Sequence, residues 1–210
     1  MSKLISIEGC DGTGKTTQSI ALIKNLKKNN KEAILAREPG GTNIGETLRT
    51  ILKNEKEIEP LSELLLFQAA RTELVQKVIL PALKSNKIVI VDRYRDSTIA
   101  YQGFGRGLNI DLINLLNDVS TKDRKPDLTI LLDMPVKDAL FRTRVRQTEK
   151  QSSSKSTETN FEKESLDFHI KVSDGFKTIA KNSKNWVTIN GALEIDQISK
   201  LIWKEVKNIL

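Results

Sequence analysis

The sequence holds one cysteine, one histidine and few aromatic residues, 5% of 210 positions. The lone cysteine, Cys10, excludes an internal disulfide and suits a reducing, cytoplasmic setting. At the start of a helix such a thiol reads either as reactive or as a small filler, and the filler reading is the expectation. Zinc-ligand spacings are missing, and so is any RNA-recognition signature with interleaved aromatics. The single histidine, His169, falls inside a helical pattern and is not expected to be catalytic. No apolar run is long enough to cross a bilayer. The stretch after Met1 is short and soon meets Glu8, which does not fit a secretory signal. No internal repeat is visible.

Charge is present and unbalanced: 34 Lys and Arg against 27 Asp and Glu, a formal +7. The lysines lie mostly at solvent-facing spacings of helical patterns, not in a stripe that would follow a groove. This balance fits a phosphorylated small molecule better than nucleic acid. The length suits one domain, residues 1–210, with a full core.

Residues Gly9-Cys10-Asp11-Gly12-Thr13-Gly14-Lys15-Thr16 fit the phosphate-loop pattern G-x-x-x-x-G-K-[ST], and Thr17 follows. The context fits as well. Leu4–Glu8 is an apolar strand candidate, and Lys15 opens a helical pattern with Ile20, Ile23 and Leu26 on one face. Glycines let the backbone wrap an anion, its N–H groups point inward, and the helix N-terminus adds partial positive charge. Lys15 would reach the terminal phosphates, and Thr16 would hold Mg²⁺.

Short apolar runs at Leu4–Glu8, Ala33–Arg37, Ile88–Asp92, Leu128–Asp133 and Trp186–Asn190 predict five buried parallel strands. Helical patterns separate them over Lys15–Asn29, Ile44–Lys53, Leu61–Lys84, Ile110–Val119, Val136–Gln147, Phe161–Asn182 and Ile195–Ile209. This alternation predicts an open α/β sheet flanked by helices, with ligands at the carboxyl ends of the strands. Pro81 should kink the third helix. Gln147 to Asn160 is rich in Ser, Thr and Lys and has no large apolar residue, so it cannot join a core and should be mobile. It follows Arg142, Arg144 and Arg146. A polar flap rooted in arginines, about 142–160, suits a lid over transferring phosphate.

Further constellations share the same chemistry. An apolar strand ending at Asp92 places a carboxylate where a phosphate-loop protein orients Mg²⁺, and Arg93 follows it. Arg37, in Arg37-Glu-Pro-Gly-Gly-Thr42, and Arg49 carry guanidinium groups suited to bidentate phosphate contact. Phe67 and Arg71 are four apart on one helix face. Together they suit a flat base, although Phe67 alone also fits a core-packing position. Ser97, Thr98, Tyr101 and Gln102 add hydroxyl, phenol and amide groups just beyond Asp92.

Taken in order, Gly9–Thr17, Arg37–Thr42, Phe67–Arg71, Asp92-Arg93-Tyr94 and Ala100-Tyr-Gln-Gly103 resemble the thymidylate kinase family over nearly the whole chain. The resemblance implies a P-loop nucleoside monophosphate kinase-like fold, ATP and Mg²⁺, a homodimer through helices such as Leu61–Lys84, and transfer of the ATP γ-phosphoryl to dTMP. It implies that Asp11 lies near the sugar 3′-hydroxyl and that Arg37, Arg49 and Arg93 hold the acceptor phosphate. Phe67 would stack on thymine, Arg71 would donate to its O4, and Thr98 and Gln102 would line the base pocket. Tyr101 would crowd the sugar 2′ position, and Asn190 to Leu193 would pass beside adenine. The variable loop positions Cys10, Asp11, Gly12 and Thr13 lack arginine. The chain is therefore similar to the bacterial-style members, which carry arginines in the lid. Arg144 or Arg146 would then act on the transferring group, and Arg142 would sit near adenine. The family's Arg-aromatic-Glu after the lid reads Asn160-Phe161-Glu162 here, and Lys155 is a substitute cation. Two rival readings are another small P-loop nucleotide kinase and a nucleic-acid-binding module. A GTPase switch is disfavoured because no N-K-x-D motif exists.

Overall fold

The computed structural model describes residues 2–55, 57–151, 161 and 164–210, with the side chains of 149–151 outside that description. In chain order the first elements are β1 (Leu4–Glu8), α1 (Lys15–Lys28), β2 (Ala33–Arg37), α2 (Asn43–Asn54) and α3 (Pro60–Leu74). A π-helical turn at Val75–Ile79 leads into α4 (Leu80–Lys84), β3 (Ile88–Asp92) and α5 (Arg95–Thr98). A second π-helical stretch, Ile99–Gly105, precedes α6 (Ile110–Thr121), β4 (Leu128–Asp133) and α7 (Val136–Gln151). The chain then runs through α8 (Leu166–Lys181), β5 (Trp186–Asn190) and α9 (Ile195–Lys207).

The sheet is parallel, in the order β2-β3-β1-β4-β5. Every residue of β1 is buried, as expected for a central strand covered on both faces. The pleat divides the apolar side chains between the two faces. Ile5, Ile7, Ile88 and Ile90 pack with Leu22 and Leu26 of α1 and with Ile198, Ile202 and Val206 of α9. Leu4, Val89 and Val91 pack with Leu74, Val75, Ile79 and Ala82. All five strands fall where the apolar runs predict them.

The helices depart from expectation in four places: α7 runs on to Gln151, past the predicted end at Gln147 and into the segment expected to be mobile, and the other three departures each have a local reason. The segment predicted as Leu61–Lys84 is interrupted, and the break takes the form of the π turn that ends at Leu80, whose N–H returns to the Val75 carbonyl. Pro81 has no N–H to donate and its ring crowds the preceding turn, so the ladder shifts register just before it. The last long helix before β5 starts at Leu166 instead of Phe161, because Ser165 caps it by accepting the Phe168 N–H at 3.2 Å. The helical run Arg95–Gly105 goes unpredicted, since two glycines and a β-branched pair obscure its period. No helix among the described residues is long and apolar enough to cross a membrane.

Candidate active site

The loop from Gly9 to Gly14 joins β1 to α1 and uses glycine where no other residue fits. Gly9, Gly12 and Gly14 have φ of 137°, 85° and 93°. A Cβ on Gly9 would meet the Leu132 carbonyl oxygen at 2.5 Å, and one on Gly12 would run into the Ala139 carbonyl oxygen of α7. The N-terminus of α1 has no side-chain cap and no acidic residue in its first turn. Its orphan N–H groups are thus left for an anion. Lys15 Nζ donates to the Cys10 carbonyl at 2.7 Å, and Thr13 Oγ1 donates to the same oxygen at 2.9 Å. Burial, then the Arg93 charge, pull the Lys15 ammonium down to about 8. The Cys10 thiol packs with Tyr101, Leu131 and Phe176, and burial pushes it up to about 11. Cys10 is the filler the loop position suggests.

Arg93 stands one residue past β3 with φ of 67°, a left-handed conformation that a long side chain seldom adopts. Glu8 at the end of β1 supports that turn. It is fully buried, accepts the Tyr94 N–H at 2.7 Å and accepts the Ser97 hydroxyl at 2.6 Å. Burial, helped by Asp96, pushes the Glu8 carboxyl up to about 8. The Arg93 guanidinium donates to Gly9 O, Ser97 Oγ, Asp11 Oδ1 and Tyr101 Oη. Tyr101 in turn donates to Asp11 Oδ2 at 3.0 Å. Burial alone would raise the Asp11 carboxyl, but Arg93 and Lys15 outweigh it and hold it well below the usual carboxylate range.

One cavity of about 390 Å³ joins these groups at the carboxyl ends of the strands. The phosphate loop and α1 contribute Asp11, Gly12, Gly14, Lys15, Thr16 and Thr17. Arg37 lies beside Asp92 in the register of β2 and β3, and Arg49 reaches the cavity from α2. Arg37 is braced by Glu46 at 3.0 Å, and Arg49 donates to the Pro39 carbonyl at 2.8 Å. Phe67, Arg71, Ser97, Thr98, Tyr101 and Gln102 line the same space. Arg71 is 1% exposed, so its fork is fixed from behind. Its Nε and Nη2 pair with Glu38, Nη2 also donates to the Tyr94 carbonyl, and Nη1 donates to Gln68, Thr98 and Asn117.

The lid arginines separate. Arg146 lines the cavity, whereas Arg142 turns to donate to the Gly191 carbonyl at 2.9 Å, next to the loop after β5. Arg144 is exposed and lies outside the cavity lining. The greater part of the segment Gln147 to Asn160, with Lys155 and Asn160, lies outside the described residues, as does Glu162. Gly9, Cys10 and Thr13 shape the loop from beneath, without facing the cavity.

Glu38 and Phe161 line the cavity without having been assigned a place in it from the sequence. The Phe161 ring lies 6.0 Å from Phe67 and 5.2 Å from Tyr101. Phe161 carries two signals in the sequence, its match to the aromatic of the family's Arg-aromatic-Glu and its place as the first aromatic after the polar flap. Glu38 carries none, because its partner Arg71 lies far along the chain.

Thr16 Oγ1 donates to Asp92 Oδ2, which brings a hydroxyl and a carboxylate to one point beside Lys15. Oxygen donors of this kind suit a hard divalent ion. No group of three or more His, Cys, Asp or Glu positioned to hold a metal occurs among the described residues. That sparse donor set suits Mg²⁺, which keeps most of its waters and its phosphate ligands.

A phosphate loop, a carboxylate at the end of the neighbouring strand and an arginine-lined cavity on a five-stranded parallel sheet define a P-loop nucleoside monophosphate kinase-like protein. The family model for thymidylate kinase matches residues 7–202. A thymidylate kinase from Kosmotoga olearia is 42% identical over 203 residues, covering 96% of this chain and 93% of its own. One from Dehalococcoides mccartyi is 42% identical over 213 residues, covering 100% of this chain and 98% of its own. The crystal structure of thymidylate kinase from Ehrlichia chaffeensis superposes with a TM-score of 0.78 at 36% identity and covers 98% of each chain. This chain belongs to the thymidylate kinase family.

Proposed function

We propose that the chain transfers the γ-phosphoryl group of ATP to dTMP, giving dTDP. One observation carries the reading: the phosphate loop and an acceptor end built from Arg37, Arg49, Arg93 and the Phe67–Arg71 pair open into a single cavity. ATP phosphates would lie on the loop and on the N-terminus of α1, with Lys15 leaving the Cys10 carbonyl for phosphate oxygen. Thr16 and Asp92 are the residues that would hold Mg²⁺. When bound, the ion neutralises charge on the phosphate oxygens. Arg93, Arg37 and Arg49 hold the acceptor phosphate. Phe67 stacks on thymine, with Thr98 and Gln102 beside it, and Arg71 reads O4 by exchanging one of its protein acceptors. Asp11 and Tyr101 face the sugar. Arg142 belongs to the adenine end, where it reaches the loop after β5. Arg146, and Arg144 after closure of the lid at about 142–160, act on the transferring group.

A homodimer fits the exposed apolar side chains of α3 and α6, Leu61, Leu65, Leu112, Leu115 and Val119, on two helices that pack together. A cytoplasmic setting fits the single buried thiol. ATP consumption measured against dTMP, dUMP, dCMP, dGMP and AMP tests the function. A preference for dTMP that disappears with a chelator and returns with Mg²⁺ is expected. Equal turnover of a purine monophosphate contradicts it.

A further inference from the structure

Gln102 stands on the π-helical stretch after α5, 1% exposed, with its side chain in the cavity wall. Its Nε2 donates to Glu63 Oε1 at 2.8 Å. Glu63, on α3, is 3% exposed and holds Arg106 through Nη2 to Oε2 at 3.0 Å and Nε to Oε1 at 3.3 Å. Arg106 is itself fixed, its guanidinium lying 4.8 Å from the centre of the Phe168 ring and donating to Glu164 at 2.6 Å. A carboxylate paired with arginine only accepts hydrogen bonds. Gln102 must therefore turn its nitrogen toward Glu63. Its Oε1 accepts no hydrogen bond among the described residues and is left for the cavity.

We propose that Glu63 is a specificity-determining positioning residue, which fixes the Gln102 amide so that its oxygen meets the base. This inference rests on the dTMP reading above. An amide oxygen matches a donor on the ring. Thymine carries one, N3–H, whereas cytosine presents a lone pair at N3. With the amide reversed, its N–H would suit cytosine. Glu63 thus chooses between the two rings without touching either. A buried polar group left facing its own kind rejects the wrong ligand strongly.

Glu63→Gln tests this, because a second amide offers Gln102 either a donor or an acceptor and so permits the turn. The dTMP-over-dCMP ratio of kcat/KM should fall about tenfold, the scale of one mispaired buried group, with KM for ATP unchanged. Glu63→Asp, which keeps the charge, should retain more of the ratio. A loss equal for both acceptors marks a merely structural role and overturns the proposal. In a Gln102→Leu background the Glu63→Gln exchange should leave the ratio where it is, and a further drop there also overturns it. If Glu63→Gln does not fold, a neutron crystal structure of the wild type with dTMP, which distinguishes the amide nitrogen and its deuterons from the oxygen, decides. Nε2 on Glu63 and Oε1 at N3 is the expected result, and the opposite sense overturns the proposal. A wild type with no preference for dTMP over dCMP removes the dTMP reading itself, before any variant is compared.

Discussion

Glu8 has no contact with solvent, and both of its oxygens are used to hold the turn that presents Arg93 and Ser97. Its carboxyl is pushed from 4.5 up to about 8, so across that window the fold keeps a proton that the unfolded chain releases. Stability from this group is complete below pH 4.5 and is lost as pH rises to about 8. Glu8→Gln accepts from Tyr94 and donates to Ser97 with no titration. Thermal melting from pH 5 to 9 should show a flatter Tm profile for the variant, with a higher Tm than the parent at the alkaline end. Parallel profiles would remove Glu8 as the source of the slope. Lys15 aims its ammonium into the phosphate loop, and the proposed function asks only charge of it. Lys15→Ala should keep the fold and lower kcat by about a hundredfold or more, the scale of losing one preorganised charge donor. Steady-state rates with circular dichroism check both halves. At Tyr101 the ring and the hydroxyl separate. Tyr101→Phe should preserve discrimination against the ribonucleotide and Tyr101→Ala should relax it, measured as the ratio of kcat/KM for deoxyribo- and ribo-acceptors.

At the scale of elements, α7 carries three arginines at alternate positions. Each residue turns roughly 100°, so Arg142, Arg144 and Arg146 span about 200° of the helix and cannot face one phosphate together. The structure agrees: Arg144 is exposed and outside the cavity lining, while Arg142 and Arg146, four apart and so on one face, part along the helix, Arg142 onto the Gly191 carbonyl and Arg146 into the cavity wall. Arg142→Ala should mainly raise KM for ATP. Arg146→Ala should lower kcat more than tenfold, in keeping with a contact that strengthens at the transition state. Single-turnover kinetics on both variants distinguish chemistry from binding. The strands and the phosphate loop are legible in the sequence because their signals are local: a run of apolar residues, a glycine spacing, a lysine after it. The run Arg95–Gly105 is not, because its glycines read as breaks. They are tolerated where Gly103 packs against Ile110 and Gly105 against Phe168 with no room for a side chain. The buried carboxylates Glu8, Glu38 and Glu63 are illegible for a different reason. Each is defined by a partner 30 to 90 residues away, brought near only by the sheet and the helices on it.

At the scale of the molecule, α3 and α6 carry five exposed large apolar residues, and α6 has Leu115 at 61% and Val119 at 70% exposure. A double change, Leu115→Asp with Val119→Asp, alters no core position. It should convert the proposed homodimer to a monomer in sedimentation equilibrium, with the melting temperature nearly unchanged. A parent that already sediments as a monomer counts against the dimer. The sheet order has a longer reach. From β1 the chain crosses to the edge strand β2, returns through β3, and only then passes to β4 and β5 on the other flank. The groups assigned to the acceptor, Arg37 through Gln102, therefore form one uninterrupted stretch on one side of β1, with Asp11 contributed from the loop. The phosphate loop and the lid arginines, assigned to the donor, lie before and after it, and of the donor groups Asp92 alone falls inside it. A segment laid out in this way can be inherited or exchanged whole. Recombination between two related kinases with crossovers just before β2 and just after the π-helical stretch would transplant the choice of acceptor and leave the phosphate loop and the lid arginines in place, provided both parents end β3 in Asp.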